Sequence, residues 1–203
     1  MADRPVTDPE PGASERGALA RLLLERSFRF GDFTLASGAR SSYYFDGRQV
    51  TLAGAGAHLV GAAVLRLARA DRVSAVGGPT IGADPIVAAV ATLAALDGRG
   101  PVDAFLVRAA PKAHGLGGVL VGPPLRSGQR VAIVDDALTT GGSLLDAASR
   151  VRETGAEIVA AYILVDREEG GADRLAEAGI SVRSVFRRSQ LLDATGRPRP
   201  DPR

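Results

Sequence analysis

Cysteine and tryptophan are absent from this 203-residue chain, methionine occurs once, and aromatic residues make up only 4% of it. Without cysteine there can be no disulfide, no zinc–thiolate centre and no thiol nucleophile. With so few rings the core must be filled by Ala, Val and Leu, a composition that suits helices packed on a parallel sheet. Long apolar runs are missing too. The longest stretch free of Asp, Glu, Lys and Arg, Gln49 to Leu65, is glycine-rich and shorter than the roughly 20 apolar residues of a membrane span. The opening "MADRPVTDPEPG" carries acids and prolines where a signal peptide needs an apolar run. These absences predict a soluble, cytoplasmic protein with no membrane partner. A formal charge of only +2 gives no electrostatic reason to expect nucleic acid. The arginines near the end ("FRRSQ", "RPRPDPR") read as a solvated tail.

Lysine is nearly absent as well: Lys112 stands alone against twenty-four arginines. It lies in "VRAAPKAHGLGG", two residues from His114, one of two histidines in the chain. Compositional drift would leave such a residue somewhere. A site that needs a compact, flexible ammonium and not a planar guanidinium would also keep it.

What is present is an ordinary globular balance, 45% apolar and 24% charged, in a length that suits one domain. Residues 1–13 lack periodicity and read as a disordered tail. Ser14 is placed to cap a helix running to about Arg26, and a second helical pattern covers Ala55 to Ala70. Between them "FRFGDFTLASGARSSYYFDGRQVTL" gives short β-like pieces broken by Gly and Ser. Beyond residue 70, strands alternate with helices. "RVSAVGG", "VDAFLVR", "RVAIVDD", "EIVAAYILVDR" and "ISVRSVF" read as strands. "DPIVAAVATLAAL", "GSLLDAASRVRETG" and "GADRLAEAG" read as helices. The strands are continuous apolar runs, which predicts an α/β fold with a parallel central sheet covered by helices on both faces. The domain spans 14–190, and 191–203 form an Arg/Pro-rich C-terminal tail.

Ligands of such sheets bind beyond the carboxyl ends of the strands, and "VAIVDDALTTGGS", Val131 to Ser143, has the most unusual strand exit. Asp135 and Asp136 leave the strand side by side, and two adjacent acids repel unless something compensates. Ala137 and Leu138 lead to Thr139, Thr140, Gly141, Gly142 and Ser143, which run into a helix. Glycines let backbone wrap a ligand, and the first N–H groups of a helix face an anion. The carboxylates suit polyol hydroxyls or a hard cation such as Mg²⁺. A sugar phosphate satisfies both ends. The loop lacks the Gly-Lys-Ser/Thr of a Walker loop, and no G-x-G-x-x-G follows a strand.

This segment resembles the phosphoribosyl-diphosphate motif of type I phosphoribosyltransferases, and the resemblance extends over roughly Ser14 to Arg188. Three further segments are similar to orotate phosphoribosyltransferases in particular. "FTLASGARSSYYFDGR" resembles the family's N-terminal hood, here about 27–52, which implies that Ser37, Gly38, Tyr43 and Tyr44 hold orotate. "VDREEG" matches with Arg167 at the family's base-pairing arginine; Thr139 is implied at the base as well. "VRAAPKAHGLGG" resembles the mobile loop, about 108–118, with Arg108, Lys112, His114 and Gly115 matching.

The resemblance implies transfer of ribose 5-phosphate from 5-phosphoribosyl 1-diphosphate to orotate. It implies Mg²⁺ carried on the diphosphate, near Asp135 and Asp136 without direct protein ligands, and a homodimer sharing its loops. Lys112, His114, Asp135 and Asp136 are the implied catalytic residues. The residues at 108, 112, 114 and 135–143 are the implied diphosphate-sugar contacts. Ala36, Gly82 and Ala109 stand where lysines are common, with Arg40 or Arg48 the expected compensation. His58 reads as structural. Two other readings stay open: transfer to another nucleobase, and a non-catalytic regulator or sugar-phosphate module that binds the same diphosphate.

Overall fold

The five apolar runs expected as strands all pair in one sheet, and a two-residue strand joins them at an edge. The computed structural model describes residues 11–34, 40–110, 118–193 and 195–199. Helix α1 (Pro11–Leu22) and a π-helical turn (Leu23–Ser27) lead into an antiparallel hairpin of β1 (Phe28–Thr34) and β2 (Arg40–Phe45). A short α2 (Arg48–Thr51) and α3 (Gly54–Ala70) follow. The central part runs β3 (Ala75–Pro79), α4 (Asp84–Leu96), β4 (Asp103–Val107), β5 (Leu120–Val121), β6 (Arg130–Leu138) and α5 (Gly142–Arg152). It closes with β7 (Glu157–Asp166), α6 (Gly171–Glu177), β8 (Val182–Arg187) and α7 (Arg188–Leu191).

The sheet order is β5-β4-β3-β6-β7-β8, parallel throughout except for β5, which is antiparallel to β4. The expected parallel central sheet is present, with β5 as an antiparallel addition at its edge. Pro123 and Pro124 follow β5 after Gly122, and a residue without an N–H cannot extend a ladder. The chain steps from β3 outward to β4, then returns to lay β6 on the other side of β3. The carboxyl ends of β3 and β6 therefore bound the crevice where the winding direction reverses, the usual ligand position in such sheets.

Side chains of β6 and β7 alternate between two cores. Ala132, Val134, Tyr162 and Leu164 pack toward α1, α3 and α4, with Phe28, Tyr43 and Phe45 of the hairpin in the same cluster. Val131, Ile133, Ala161 and Ile163 pack toward α5 and α6. Both faces are thus covered, which explains why these strands read as continuous apolar runs. The hydroxyl of fully buried Tyr162 donates to Asp71 Oδ2 at 2.8 Å, and Arg183 pairs with the same carboxylate. A buried phenol needs such a partner. Ile163→Ala is expected to lower stability by about 2–5 kcal/mol through the cavity it leaves; urea unfolding of the variant checks this.

Two boundaries differ from expectation. The first helix begins at Pro11, three residues before Ser14, because a proline in the first turn gives up only an N–H that has no helical partner. The Arg/Pro-rich segment, expected as a solvated tail, is folded through residue 199 apart from 194, which is not described. Leu191 and Leu192 are buried in the core that holds Tyr43. Leu192 bridges Pro198, and Arg199 Nε donates to Ser189 O at 2.7 Å. Leucines beside the arginines anchor the backbone while Arg197 stays exposed.

Candidate active site

A cavity of about 220 Å³ opens at the reversal point between β3 and β6. It is lined by Phe45, Asp46, Arg48, Pro79, Thr80, Ile81, Gly82, Asp135, Asp136 and Ser143. A second cavity of about 440 Å³ shares Pro79, Thr80 and Ser143 and continues past Arg108, Asp146 and Arg150. The two form one polar trough along the carboxyl ends of the strands.

Asp135 and Asp136 sit at the floor of the first cavity because β6 carries its ladder through them to Leu138. Asp135 is only 8% exposed, and its Oδ1 accepts the Asp136 backbone N–H at 3.0 Å. Burial pushes both carboxyls above the usual carboxylate range. The charge of Asp136 raises Asp135 further, while the Arg48 guanidinium draws Asp136 back down. This setting disfavours charge on both carboxyls at once, and a ligand that donates hydroxyls or brings positive charge stabilises the ionised form. Backbone comes very close here. A Cβ at Gly82 would stand 2.3 Å from Asp135 Oδ1 and 2.7 Å from Asp136 Oδ1. Only glycine leaves that pair in place.

The anion cup lies at the start of α5. Gly141, at φ +77°, makes the left-handed turn that β-carbon-bearing residues avoid, and among the described residues no side chain caps the helix. Its first N–H groups are therefore free for a ligand's oxygens. From behind, Arg174 Nη1 donates to Thr140 O at 2.9 Å and holds the loop in shape. Leu138 turns its side chain into the core on the α5 side, and Ala137 packs against the opposite core. These two can meet a ligand through their backbone.

Arg167 follows β7, and its backbone N–H donates to Leu138 O at 3.0 Å, which ties it to the mouth of the cup. Its guanidinium is stacked 5.3 Å from the Tyr43 ring centroid and paired with Glu169 at 2.8 Å. Among the described residues its buried Nε has no hydrogen-bond partner. A planar, stacked, partly unsatisfied guanidinium suits a flat ligand rich in acceptors. Tyr44, next along β2, points to the other face of the hairpin, is 42% exposed, and meets Phe33 at 6.1 Å. The aromatic pair is thus split by strand alternation, and Tyr43 is the member that joins Arg167.

Residues 78–179 match the model of the phosphoribosyl transferase domain. An orotate phosphoribosyltransferase of Aquifex aeolicus is 41% identical over 181 residues, spanning 88% of this chain and 98% of that protein. The chain belongs to the orotate phosphoribosyltransferase family. Orotate phosphoribosyltransferase of Mycobacterium tuberculosis H37Rv, solved with Fe(III) dicitrate, is 38% identical at a TM-score of 0.75, covering 86% of this chain and 97% of that one. The same enzyme solved with 5-phospho-α-D-ribosyl 1-diphosphate gives a TM-score of 0.70 at 35% identity, covering 85% and 96%.

Against the family's expected machinery, the structure brings Asp135, Asp136, Ser143 and the Gly141–Gly142 turn into one crevice, with Arg167 at its edge. Arg108 lines the adjoining cavity, its backbone N–H bonded to Val119 O at 2.9 Å. Ser37, Gly38, Lys112 and His114 lie outside the described residues, as do Ala36 and Gly115. His58 is exposed on α3. Among the described residues no group of three or more His, Cys, Asp or Glu is placed to hold a metal ion. Two carboxyls beside an anion cup do suit a hydrated Mg²⁺ that arrives on a diphosphate. No described helix is long and apolar enough to cross a membrane. Sequence reasoning missed Asp46 and gave Arg48 only a secondary part. Their signal was "FDGR", an acid and an arginine flanking a glycine at a strand exit.

Proposed function

We propose that this chain transfers the ribose 5-phosphate unit of 5-phosphoribosyl 1-diphosphate to N1 of orotate, releasing orotidine 5′-monophosphate and pyrophosphate. The observation that carries this reading is the contact across β6 and β7. It sets a stacked Arg167 next to the mouth of an anion cup whose other side is a buried acid pair.

In the reaction the C1′–O bond to the diphosphate breaks, its electrons leave with pyrophosphate, and N1 of orotate forms the new bond to C1′. The N1 proton is acidic and passes to solvent, so no strong base is needed. The residues position reactants and stabilise charge. The Thr139–Ser143 turn and the start of α5 hold the 5-phosphate. Asp135 and Asp136 accept the ribose hydroxyls and steady the positive charge that grows on the sugar as the bond breaks. Arg167 and Tyr43 hold the pyrimidine. Arg108, Lys112 and His114 supply cations toward the leaving group. Asp135 and Asp136 would lie beside any Mg²⁺ carried on the diphosphate, which would supply Lewis-acid neutralisation of the leaving group. The working unit is a cytoplasmic homodimer whose 108–118 loops serve neighbouring sites, a state that sedimentation reads directly.

Orotate, the sugar diphosphate and Mg²⁺ are expected to give a protein-dependent loss of orotate absorbance. Adenine, hypoxanthine and uracil in the same assay are expected to give none. Turnover of another base in preference to orotate overturns the assignment, and binding of the diphosphate without any turnover indicates a regulator. Arg167→Ala is expected to raise KM for orotate about 10- to 100-fold, the size of a lost charged hydrogen bond. KM for the sugar diphosphate should hold. Initial-rate kinetics in both substrates separate the two effects.

A further inference from the structure

The first cavity carries an excess of acid. Asp46, Asp135 and Asp136 line it, and Arg48 is the one cation among its described lining residues. Arg48 is anchored and yet uncommitted. Its Nε donates to Asp46 Oδ1 at 2.7 Å, and its backbone N–H reaches the same oxygen at 3.2 Å. Gln49 Nε2 steadies the other oxygen of Asp46 at 3.2 Å. Among the described residues, neither Nη group of Arg48 donates a hydrogen bond. The side chain is 42% exposed, so its free fork lies at the wet mouth of the cavity. Arg40 contrasts with it: among the described residues it does not line the cavity, is 82% exposed, and pairs with Asp32 at 3.8 Å.

The layout of the crevice selects what the fork can bind. A ribose on Asp135 and Asp136, with its 5-phosphate over the start of α5, directs the group on C1′ away from the cup, toward Thr80–Gly82. Among the described residues that side of the cavity offers no lysine or arginine of its own: Pro79, Thr80, Ile81 and Gly82 are all uncharged. Three acids beside an incoming diphosphate would repel it unless a cation stood with them. A guanidinium pinned by one edge offers its remaining N–H groups in a fixed plane, the arrangement that phosphate oxygens match in pairs.

We propose that Arg48 is a substrate-binding residue of this chain, gripping the diphosphate of 5-phosphoribosyl 1-diphosphate, with Asp46 as the residue that positions it. The proposal rests on the functional reading above and assigns the cation of the β3 side of the site. It also separates the two arginines that sequence alone left equivalent.

Arg48→Gln is expected to raise KM for the sugar diphosphate about 10- to 100-fold and to weaken product inhibition by pyrophosphate in parallel, while KM for orotate holds. Arg48→Lys keeps the charge without the fork and should recover only part of the loss. Asp46→Asn should produce a smaller shift in the same direction, and Arg40→Ala none. A raised KM for orotate with an unchanged one for the diphosphate overturns the proposal, as does no change in either. Calorimetric titration of Mg²⁺ and the sugar diphosphate into wild-type and Arg48→Gln protein gives a readout that does not need orotate. If no base is turned over, the functional reading falls, yet weaker binding by the variant still upholds the role of Arg48. Equal binding removes it.

Discussion

Asparagine at position 135 is expected to lower kcat/KM by about 10²–10³-fold, the loss seen when one group that stabilises transition-state charge is removed, and to raise the melting temperature of the free protein at neutral pH. The second effect follows from the burial of the acid pair. Burial, with the Asp136 charge second, lifts Asp135 above the ordinary carboxylate range. Between the unfolded value, about 3.9, and that raised folded value, the folded state binds more protons than the unfolded one. Stability therefore falls as pH rises through this window. An amide cannot ionise, so the variant should lose this decline, each kcal/mol appearing as about 2–4 °C for a domain of this size. Substrate should act in the opposite sense. Ribose hydroxyls and a diphosphate-bound cation favour the ionised pair, so binding should release a proton. Calorimetry in buffers of different ionisation heat measures that release. A variant that melts lower than wild type, or binding that takes up a proton, would sink this account of the pair.

Alanine at position 112 should be the other severe change. The 108–118 loop leaves the sheet from β4, whose exit residue Arg108 lines the cavity adjoining the acid pair. Nearby alanines and glycines add no other cation between Arg108 and His114, so the proposed leaving-group charge rests on few residues. Loss of one such cation is expected to cost about 10²–10³-fold in kcat. Orotate affinity should be little changed, because Arg167 and Tyr43, the residues proposed to hold the base, do not line the cavity that Arg108 borders. Steady-state rates together with direct orotate binding test this. An unchanged kcat would remove Lys112 from the mechanism.

Element types were largely legible in the sequence because burial on both faces makes parallel strands continuous apolar runs and helices keep their own period. "RVAIVDD" and "EIVAAYILVDR" needed no tertiary information to be read as strands. The acid pair and the Thr/Gly turn were equally plain, since their chemistry is local and lies within nine residues, Asp135 to Ser143. β5 was not legible: two residues of edge strand have no periodicity to detect. Nor was the folding of the C-terminal segment, where arginine and proline outnumber the two leucines that anchor it.

The sequence alone determined the fold class, the strand exit with its two carboxyls, and the anion cup. All are contiguous in the chain and governed by local backbone chemistry. Only the tertiary structure decided which distant residues share the crevice. It set Tyr43 against Arg167 while turning Tyr44 away, because adjacent strand residues face opposite sides. It placed Gly82 against the acid pair, where a side chain would displace the carboxylates. It also brought Arg48 to the cavity and left Arg40 at the hairpin's exposed end. Residues far apart in sequence become neighbours only through sheet order, and no local pattern encodes that distance.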